Sequence, residues 1–540
     1  MKEFIKDLLK ELKKGKDISK IKNKLSGKYN LNQIPKNLEL LNQLSSKEKE
    51  AYGKYFITKP VRTLSGVAPV AIMTKPIKCA HGKCIMCPGG PDSFYGNIPQ
   101  SYTGKEPATM RAIRNKFDPY LQVMNRLEHY IVLGQIPEKV ELIIMGGTFP
   151  SFNKSYQETF VKYAFKAMND FSKLFYAKEF DFNKFKEFFE LPGKVGDLNR
   201  TEKIQNKLKK IKGKCSLINE QNKNETSRIK CVALCIETRP DFCREVHIRQ
   251  MLKLGCTRIE LGVQSIYDDV LNRINRGHSV EDSIKATKLL KERGLKVIYH
   301  LIPALPGSSY ERDLEMFKII FNDSRFKPDG LKIYPCVVIR GTKLYDLYKN
   351  KMYNPPNINK IVKLIIEIKK IIPEYCRIMR LQRDISSKEI VAGANMTNLR
   401  QFISEIMKKE NLKCSCIRCR EIKDSKIGKI KYKILKYNAS NGTEYFICAE
   451  SNDNLVGFCR LRLDKTAFVR ELHVYGSSVG IGKKGSIQHR GFGAELMKLA
   501  EKVSKENKFK KLFVISGIGV RNYYKKLSYK KEGVYMIKKI

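Results

Sequence analysis

The stretch of sequence on which the fold depends most is Cys79-Ala80-His81-Gly82-Lys83-Cys84-Ile85-Met86-Cys87-Pro88-Gly89-Gly90-Pro91. Three cysteines at the spacing C-x4-C-x2-C, followed by a Gly- and Pro-rich turn, suit three thiolate ligands of one metal centre with open backbone beside it. A [4Fe–4S] cluster takes four ligands and no fourth cysteine lies nearby, so one iron would stay open for a small molecule. A structural zinc site is the alternative, because three clustered cysteines alone suit either centre.

The charge balance of the chain indicates a polyanionic partner. Lys and Arg number 104 against 55 Asp and Glu, a formal net charge of +49. Each basic side chain placed near a phosphate releases counterions, so RNA or DNA is favoured, although a lysine-rich composition alone could produce the same balance. No apolar run approaches the ~20 residues that span a bilayer, and we expect a cytoplasmic protein without a membrane partner. The fifteen cysteines then indicate metal ligands in a reducing compartment rather than disulfides.

Residues 1–54 are predicted to form a basic helical segment. One helix face carries the apolar residues Phe4, Ile5, Leu8, Leu9 and Leu12, and lysines at 2, 6, 10, 13 and 14 surround it. A basic amphipathic helix can lie on a membrane or be a solvated face, but in a chain with this net charge it favours contact with RNA.

Residues 55–350 alternate short β-branched runs with helical patterns. The six predicted strands are Val67–Met73, Val140–Met145, Val232–Ile236, Arg258–Val263, Lys296–Leu301 and Gly330–Tyr334. This alternation predicts an α/β fold with a parallel sheet, most simply an open (β/α)6 barrel. In such barrels the chemistry lies where strands end. The loops there are Cys79–Pro91, Gly146–Thr148, Glu237–Asp241, Gln264–Ser265, Pro303–Gly307 and Tyr334–Pro335. Their polar, Gly and Pro residues therefore share one rim, as an active site requires.

Two further segments interrupt or follow this pattern. Residues 171–230 read as a basic insertion, partly disordered, which either contacts nucleic acid or is a solvated excursion. Residues 351–430 read as a linker that contains Cys414, Cys416 and Cys419 at C-x-C-x2-C, a spacing that suits a small zinc site. Tetrahedral zinc wants a fourth ligand, for which Cys336 is the first choice and Cys376 the second, while free thiols are the alternative.

Residues 431–540 have a different pattern. A strand over Ala467–Tyr475 and a loop precede Gln488-His489-Arg490-Gly491-Phe492-Gly493, which opens a helix. Glycines at such a junction let backbone N–H groups face a pyrophosphate at a helix N-terminus. The order of elements, closing on Tyr523 and Tyr524, resembles the N-acetyltransferase (GNAT) fold, in which a tyrosine of the last helix lies near the sulfur of acetyl-CoA. One of the two adjacent tyrosines could instead be a core residue.

Further motifs complete a family resemblance. They are Gln100–Gly104, Met145–Phe149, Glu237–Asp241, Glu260–Ser265, Asn275–His278 and Arg470–Gly476. With the cysteine loop, they resemble the catalytic subunit of Elongator, the radical S-adenosylmethionine (SAM) tRNA uridine(34) acetyltransferase family, in an archaeal- or bacterial-like single chain, from about residue 55 onward apart from the insertion. The usual radical SAM spacing is C-x3-C-x2-C, so the loop here is one residue longer. The resemblance leaves open whether the chain acts without the other Elongator subunits and whether it forms a homodimer.

The resemblance implies an enzyme that uses SAM, a [4Fe–4S] cluster and acetyl-CoA to form 5-carboxymethyluridine at the wobble position of the tRNA anticodon stem-loop. Cys79, Cys84 and Cys87 would hold the cluster. SAM would be held at Gly146, Gly147 and Gln264. Acetyl-CoA would be held by Lys139, Glu471, Leu472, His473, Val474, Gln488, Gly491, Phe492, Gly493 and Ala494, with Tyr524 and Tyr523 as catalytic residues. A zinc ion at the second cysteine group is less firmly implied.

The implied mechanism begins with a 5′-deoxyadenosyl radical that takes hydrogen from the acetyl methyl group. The resulting carbon radical would add to C5 of uridine, and thioester hydrolysis would leave the carboxymethyl group. Two other classes stay open. A protein lysine acetyltransferase would need only the C-terminal domain, and its cysteines would be structural. An RNA-binding scaffold would need neither the glycines at 491 and 493 nor a cluster iron that is open to a small molecule.

Overall fold

The structure is a computed structural model that describes residues 2–15, 17–31, 33–35, 37–45, 48, 51–56, 66–193, 196–422, 427–476 and 491–540. The N-terminal domain consists of helices α1 (Lys2–Lys13), α2 (Ile18–Lys28) and α3 (Asn37–Gln43) and a 3-10 turn at Gly53–Phe56. The predicted apolar face of α1 is confirmed, since Phe4, Leu8 and Leu12 are buried in a small core of this domain's own. Lys6, Lys10 and Lys13 are exposed around it.

The central domain is built on one parallel sheet. The strands of this domain are, in chain order, β1 (Val67–Met73), β2 (Gly90–Ser93), β3 (Gly96–Ile98), β4 (Lys139–Met145), β5 (Lys230–Thr238), β6 (Arg258–Gln264), β7 (Lys296–Leu301), β8 (Gly330–Ile333), β9 (Val337–Ile339), β10 (Arg377–Arg380) and β11 (Ile390–Gly393). Strands β2 with β3, and β9 with β11, form two small separate sheets. The sheet order is β1-β4-β5-β6-β7-β8-β10, and all of its pairs are parallel. The six predicted strands are confirmed. The four-residue seventh strand, β10, lies in the segment predicted as a linker and lacks a β-branched run that would have revealed it.

Helices cover the outside of the sheet and extend the domain. They are α4 (Pro107–Arg114), α5 (Pro119–Val132), α6 (Lys154–Phe175), α7 (Phe182–Phe188), α8 (Leu198–Lys212), α9 (Leu217–Asn224), α10 (Glu245–Lys253), α11 (Asp268–Arg273), α12 (Val280–Glu292), α13 (Tyr310–Asn322), α14 (Lys343–Lys349), α15 (Ile358–Ile371), α16 (Leu399–Lys409) and α17 (Ile417–Arg420).

The insertion at 171–230 is helical over its described residues, so the prediction of partial disorder was wrong there. Helices α7, α8 and α9 lie within it, and Phe171, Phe175, Phe185 and Phe189 are all buried. Their rings pack together, with centroids as close as 4.8 Å. The lysines dominated the composition and hid this aromatic core, which supplies the apolar burial that ordering requires.

The C-terminal domain has strands β12 (Lys431–Ala439), β13 (Gly442–Ser451), β14 (Asn454–Leu463), β15 (Ala467–Val474), β16 (Lys511–Val514), β17 (Lys530–Glu532) and β18 (Tyr535–Lys539), with helices α18 (Phe492–Glu506) and α19 (Arg521–Lys526). The sheet order is β12-β13-β14-β15-β16-β18-β17. Strand β15 pairs in parallel with β16 only through Ala467–Val469, so the two strands part beyond that point. No helix in the described part of the chain is long and apolar enough to cross a membrane.

The C-terminal domain packs on the end of the barrel where the parallel strands begin, here called the floor; the opposite end is the mouth. Arg470 on β15 donates to Asp329, which directly precedes β8, at 2.6 and 2.8 Å, and also to Glu444. All three side chains are almost fully buried. The backbone of Gly517 and Gly519 lies against the start of β5: a Cβ at Gly517 would fall 2.0 Å from the carbonyl oxygen of Val232.

Candidate active site

The cysteine loop lies at the mouth, after β1. Cys84 and Cys87 are buried and Cys79 is half-buried. The backbone N–H of Ser101 donates to Cys87 Sγ at 3.2 Å, and His81 Nε2 lies 3.2 Å from Cys84 Sγ. The three sulfurs do not all lie within 4.8 Å of one another. A single zinc ion holds its sulfurs at about 2.3 Å each and would draw them closer, so this spread suits a larger cluster.

The buried thiols of this loop need a positively charged partner before they can ionise. Burial, reinforced by the neighbouring Cys87, raises the pKa of Cys79 to about 11. Burial also raises the pKa of Cys87. Thiolates are the form that binds metal, so the charge of bound iron would have to stabilise what burial disfavours. The donor set therefore fits an iron–sulfur cluster.

The glycine turn predicted to hold SAM lies beside this loop. Gly146 and Gly147 both have positive φ, at 111° and 85°, and a Cβ on Gly147 would lie 3.9 Å from Cys79 Sγ. A Cβ on Gly146 would fall 2.5 Å from the hydroxyl of Thr74, which donates to the Gly146 carbonyl. Gln264 at the end of β6 also has positive φ, and its buried Oε1 has no hydrogen-bond partner among the described residues. The structure thus brings the predicted SAM residues to the mouth.

A column of charged side chains fills the barrel below the mouth. Tyr102 Oη donates to Glu237 at 3.2 Å, and Lys332 forms ion pairs with both Glu237 and Glu260. Glu260 also pairs with Arg258 at 3.0 Å. Burial would raise the pKa of Glu260, but Lys332, followed by the other basic neighbours, holds it well below its usual range.

Sequence analysis did not single out the members of this column as site residues. Arg258 and Glu260 stand two positions apart in β6, the strand that ends at the predicted Gln264. Period-2 polarity in a strand that is otherwise buried was the signal that could have revealed them. His300 on β7 completes the group, with Nε2 3.0 Å from Glu260.

The gap between β15 and β16 in the C-terminal domain holds the residues predicted to bind acetyl-CoA. Glu471, Leu472, His473 and Val474 are half-buried on the part of β15 that pairs with β14 but not with β16. Burial would raise the pKa of Glu471, but Lys296 of the barrel and Arg460 lower it to about 2. Burial lowers the pKa of His473 to about 4.

The start of α18 faces the same gap. Gly491 is left-handed, with φ of 88°, and a Cβ on Gly493 would fall 2.6 Å from Tyr523 Oη. Phe492 and Ala494 are half-buried beside them. Tyr524 is buried and packs edge-on against Tyr529, whereas Tyr523 is 38% exposed. The predicted residue Gln488 lies outside the described residues.

Lys139 opens β4 at the floor and contributes to the depressed pKa of His473, so it lies near the acetyltransferase gap. Gly146 follows the same strand at the mouth. At about 3.3 Å per residue, β4 separates the two candidate sites by roughly 20 Å. The residues predicted for the two ligands therefore lie at opposite ends of one barrel, and hydrogen transfer from the acetyl methyl group to a SAM-derived radical would require the acetyl group to reach the mouth.

Known protein families share this architecture. Family models match at residues 1–64 (ELP3 N-terminal domain), 76–320 (Radical SAM superfamily), 328–409 (Radical SAM C-terminal domain) and 414–529 (Acetyltransferase (GNAT) family). A tRNA uridine(34) acetyltransferase of Methanocaldococcus infernus is 45% identical over 100% of this chain and 99% of its own length. Elongator complex protein 3 of Saccharomyces cerevisiae is 39% identical over 96% of this chain and 91% of its own.

The chain belongs to the Elongator complex protein 3 family. A solved structure of the Methanocaldococcus infernus Elp3 lacking its N-terminus (1–46) matches 88% of this chain and 100% of that one, at 41% identity and a TM-score of 0.71. The predicted fold class, a radical SAM barrel joined to a GNAT domain with a helical N-terminus, is therefore confirmed. Membership of a radical SAM family implies a [4Fe–4S] cluster and SAM.

The second cysteine group of this Elongator-family chain is compact and lies at the floor. The sulfurs of Cys414, Cys416 and Cys419 all lie within 4.8 Å of one another. Hydrogen bonds from Cys414 and Cys419 lower the pKa of Cys416 to about 2. In the described part of the chain, no fourth histidine, cysteine or acid completes this group.

The structure does not bring Cys336, the first choice for a fourth zinc ligand, to this group. Cys336 follows β8 at the mouth, where its N–H donates to the Pro303 carbonyl, at the far end of the sheet from this group. Cys376, the second choice, precedes β10 at the floor, and its carbonyl accepts from the Ile417 N–H at 3.0 Å. Cys376 is thus adjacent to the group, although its sulfur is not part of the compact set.

Proposed function

We propose that the chain converts the wobble uridine of tRNA to 5-carboxymethyluridine, with SAM and acetyl-CoA as co-substrates. The proposal rests on the packing of a radical SAM barrel and an acetyltransferase domain against each other in one chain. That chain is related over its whole length to proteins named tRNA uridine(34) acetyltransferase. A protein lysine acetyltransferase would have no use for a cysteine loop buried at the far end of a barrel.

The residues that would hold each group follow from their positions. Cys79, Cys84 and Cys87 would hold the [4Fe–4S] cluster, and the open backbone of Gly146 and Gly147, with Gln264, would hold SAM. When bound, the cluster and SAM supply one-electron chemistry that can remove hydrogen from an unactivated C–H bond. Acetyl-CoA would lie along Glu471–Val474 and the start of α18 at Gly491–Ala494, with Lys139 and the tyrosines Tyr523 and Tyr524 beside it.

The protein's own contribution is position, electrostatics and the exclusion of water. Tyr102 covers Glu237 at the mouth, and the buried ion pairs of Lys332 keep the charges beneath the mouth fixed. Replacing hydrogen at C5 of uracil by a carbon radical requires loss of the C5 proton and of one electron, and the cluster, left oxidised by SAM cleavage, would be the group able to take that electron. Glu237 is a carboxylate at the mouth with an oxygen already within hydrogen-bond distance of a hydroxyl, and it is our candidate to accept that proton.

The tRNA would be held in part by the N-terminal domain, where Lys6, Lys10 and Lys13 are exposed on α1. Changing all three to Glu leaves the apolar face of α1 intact and should weaken tRNA binding and flatten its salt dependence. Lys285 and Lys318, exposed on barrel helices, are the matched control when changed to Glu. Equal salt slopes for both variants would remove the N-terminal domain from the tRNA site.

The reaction itself is tested by anaerobic incubation with tRNA, a reductant, SAM and acetyl-CoA deuterated at the acetyl methyl group. We expect 5-carboxymethyluridine by nucleoside mass analysis and deuterium in the released 5′-deoxyadenosine. Cys84→Ser should yield neither product.

Two outcomes would contradict the proposal in different ways. Unlabelled 5′-deoxyadenosine formed alongside modified tRNA would overturn abstraction from the acetyl group. Acetylated lysine in an added peptide, with no 5′-deoxyadenosine, would replace the whole assignment by protein acetylation.

A further inference from the structure

An open cleft lies at the mouth, beyond the ends of β8 and β10, and much of its roughly 400 Å³ is continuous with solvent. Its walls come from the residues after each strand, chiefly Pro335, Gln382, Arg383, Ile390, Asn395 and Met396. The lining is mainly apolar with a few polar groups, as in small-molecule sites. None of the assigned cluster, SAM or acetyl-CoA residues lines this cleft.

The amide of Gln382 has a fixed orientation. Its Nε2 donates to the carbonyl oxygen of Thr397 at 3.0 Å, which a flipped amide could not do. The other amide atom, Oε1, is therefore an acceptor. It is buried, and among the described residues no donor lies within hydrogen-bond distance. A buried acceptor without a partner carries a desolvation cost that a ligand N–H would relieve.

Two donors line the same cleft as this acceptor. Arg383 donates one N–H to the Ser101 carbonyl and keeps further guanidinium N–H groups. Asn395 at the rim donates Nδ2 to the Ser387 carbonyl at 3.1 Å and keeps a second N–H on the same atom. The cleft thus offers one acceptor and two donors, and apolar side chains such as Ile390 and Met396 provide a surface for a planar ring.

The cleft is also joined to the cluster loop. Arg383 binds the Ser101 carbonyl, and the Ser101 N–H donates to Cys87 Sγ at 3.2 Å. Arg383 and Ser101 would therefore connect a ring held in the cleft to Cys87, a predicted cluster ligand.

We propose that this cleft holds the target pyrimidine and selects uracil, with Gln382 Oε1 accepting the N3–H and with Arg383 and Asn395 donating to the flanking carbonyls. The inference rests on the proposed function and names its base-binding site. A base must leave the stack to enter such a pocket, as in other enzymes that act on one nucleobase. Cytosine carries an acceptor at N3, so the fixed Gln382 oxygen would face another acceptor and reject it.

The experiment measures binding without SAM, a reductant or acetyl-CoA. Anticodon stem-loops that carry uridine, cytidine, N3-methyluridine or an abasic site at the wobble position are titrated against the full chain by fluorescence anisotropy. We expect the uridine loop to bind about fivefold more tightly than the other three, the worth of about one net hydrogen bond to a buried partner. Gln382→Leu should abolish the preference for uridine over cytidine and N3-methyluridine, and should leave the affinity for the abasic loop unchanged.

Matched variants keep the result interpretable. Gln401→Leu, at an exposed glutamine of α16, should behave as wild type. Asn395→Ala should reduce the uridine preference about twofold to threefold. If the N3–H pairs with Gln382, the effects of Gln382→Leu and of N3-methylation will not add.

A wild-type chain with no preference for uridine over the abasic loop would overturn the inference. So would a folded Gln382→Leu variant that keeps the preference, or one whose SAM affinity falls while the preference stays, which would assign the cleft to the adenine of SAM. Should Gln382→Leu fail to fold, an unchanged preference in Asn395→Ala would count against the inference. A preference for uridine without any tRNA modification would contradict the proposed reaction and leave the cleft assignment standing.

Discussion

The two ends of the barrel are built on opposite principles. At the mouth, three sulfurs lie too far apart for one ion, glycine backbone is exposed beside them, and two glutamine oxygens, those of Gln264 and Gln382, lack partners among the described residues. At the floor, charges are paired and buried, as in Arg470 with Asp329, and the three sulfurs there are drawn together. The mouth has unsatisfied groups that ligands can satisfy, whereas the contact of Arg470 with Asp329 and Glu444 at the floor is held by ion pairs within the protein itself.

This contrast shows that unsatisfied polar groups, more than conspicuous sequence motifs, distinguish a ligand-binding site from an interface between two domains. Both cysteine groups have spacings typical of metal ligands, and the pKa of a thiol is raised in both, that of Cys79 by burial and that of Cys414 first by hydrogen bonds with Cys416 and Cys419. What differs is the spacing of the sulfurs, since only those of Cys414, Cys416 and Cys419 all lie within 4.8 Å of one another.

The largest expected effect is at the mouth. Cys84→Ser should remove iron from the reconstituted chain and abolish 5′-deoxyadenosine formation, because a cluster ligand is lost. Its affinity for acetyl-CoA should stay within twofold of wild type, since that ligand would bind roughly 20 Å away. Iron analysis, product chromatography and calorimetry measure the three quantities. A folded variant that loses both ligands would show that the ends are not independent.

At the floor the effect should be on stability. Arg470→Met leaves Asp329 and Glu444 buried without their main cation, and breaking such a pair costs about 3–5 kcal/mol. Urea unfolding measures the change, with Arg325→Met as the control because its partner Asp323 lies in an exposed pair worth at most about 1 kcal/mol. Comparable losses of unfolding free energy in the two variants would mean that the Arg470 ion pairs do not hold the two domains together.

A smaller effect should follow pH. The pKa of Glu471 is about 2 in the folded chain against an ordinary 4.5, because Lys296 and Arg460 outweigh its burial. The resulting stability is present above pH 4.5 and is lost as pH falls toward 2, by up to about 3 kcal/mol. The free energy of unfolding of Glu471→Gln should therefore depend less on pH than that of wild type over this range. Parallel curves would contradict the pairing.

The smallest effect tests the second cysteine group as a zinc site, which we propose. Cys414→Ser should then lower the zinc content of the purified chain, whereas Cys336→Ser should leave it unchanged, because Cys336 and the compact group lie at opposite ends of the sheet. Elemental analysis of both variants, prepared side by side, decides the matter. Zinc loss from Cys336→Ser would place that residue at the site after all.

Sequence reasoning succeeded where the signal was local. The six strands followed from β-branched runs, the rim loops from strand ends, and the N-terminal core from helical spacing. It failed where partners are distant in sequence: β10 is too short to show a pattern, Cys336 was chosen without knowing that the sheet separates it from Cys414, and the aromatic core of the insertion was masked by lysines. The alternating polar residues of β6 could have revealed the column around Glu260, whereas the unpaired oxygen of Gln382 depends on contacts that only the folded chain reveals.

The contact of Gly517 and Gly519 with the barrel limits how this protein can be recombined. A Cβ at Gly519 would fall 2.6 Å from the Lys230 side chain, and one at Gly517 would overlap the Val232 carbonyl. An acetyltransferase domain grafted from an unrelated enzyme would need both glycines and a counterpart of Arg470 before it could dock. The two modules are thus inherited as a single unit, and exchange between lineages should preserve the pair or lose the fusion altogether.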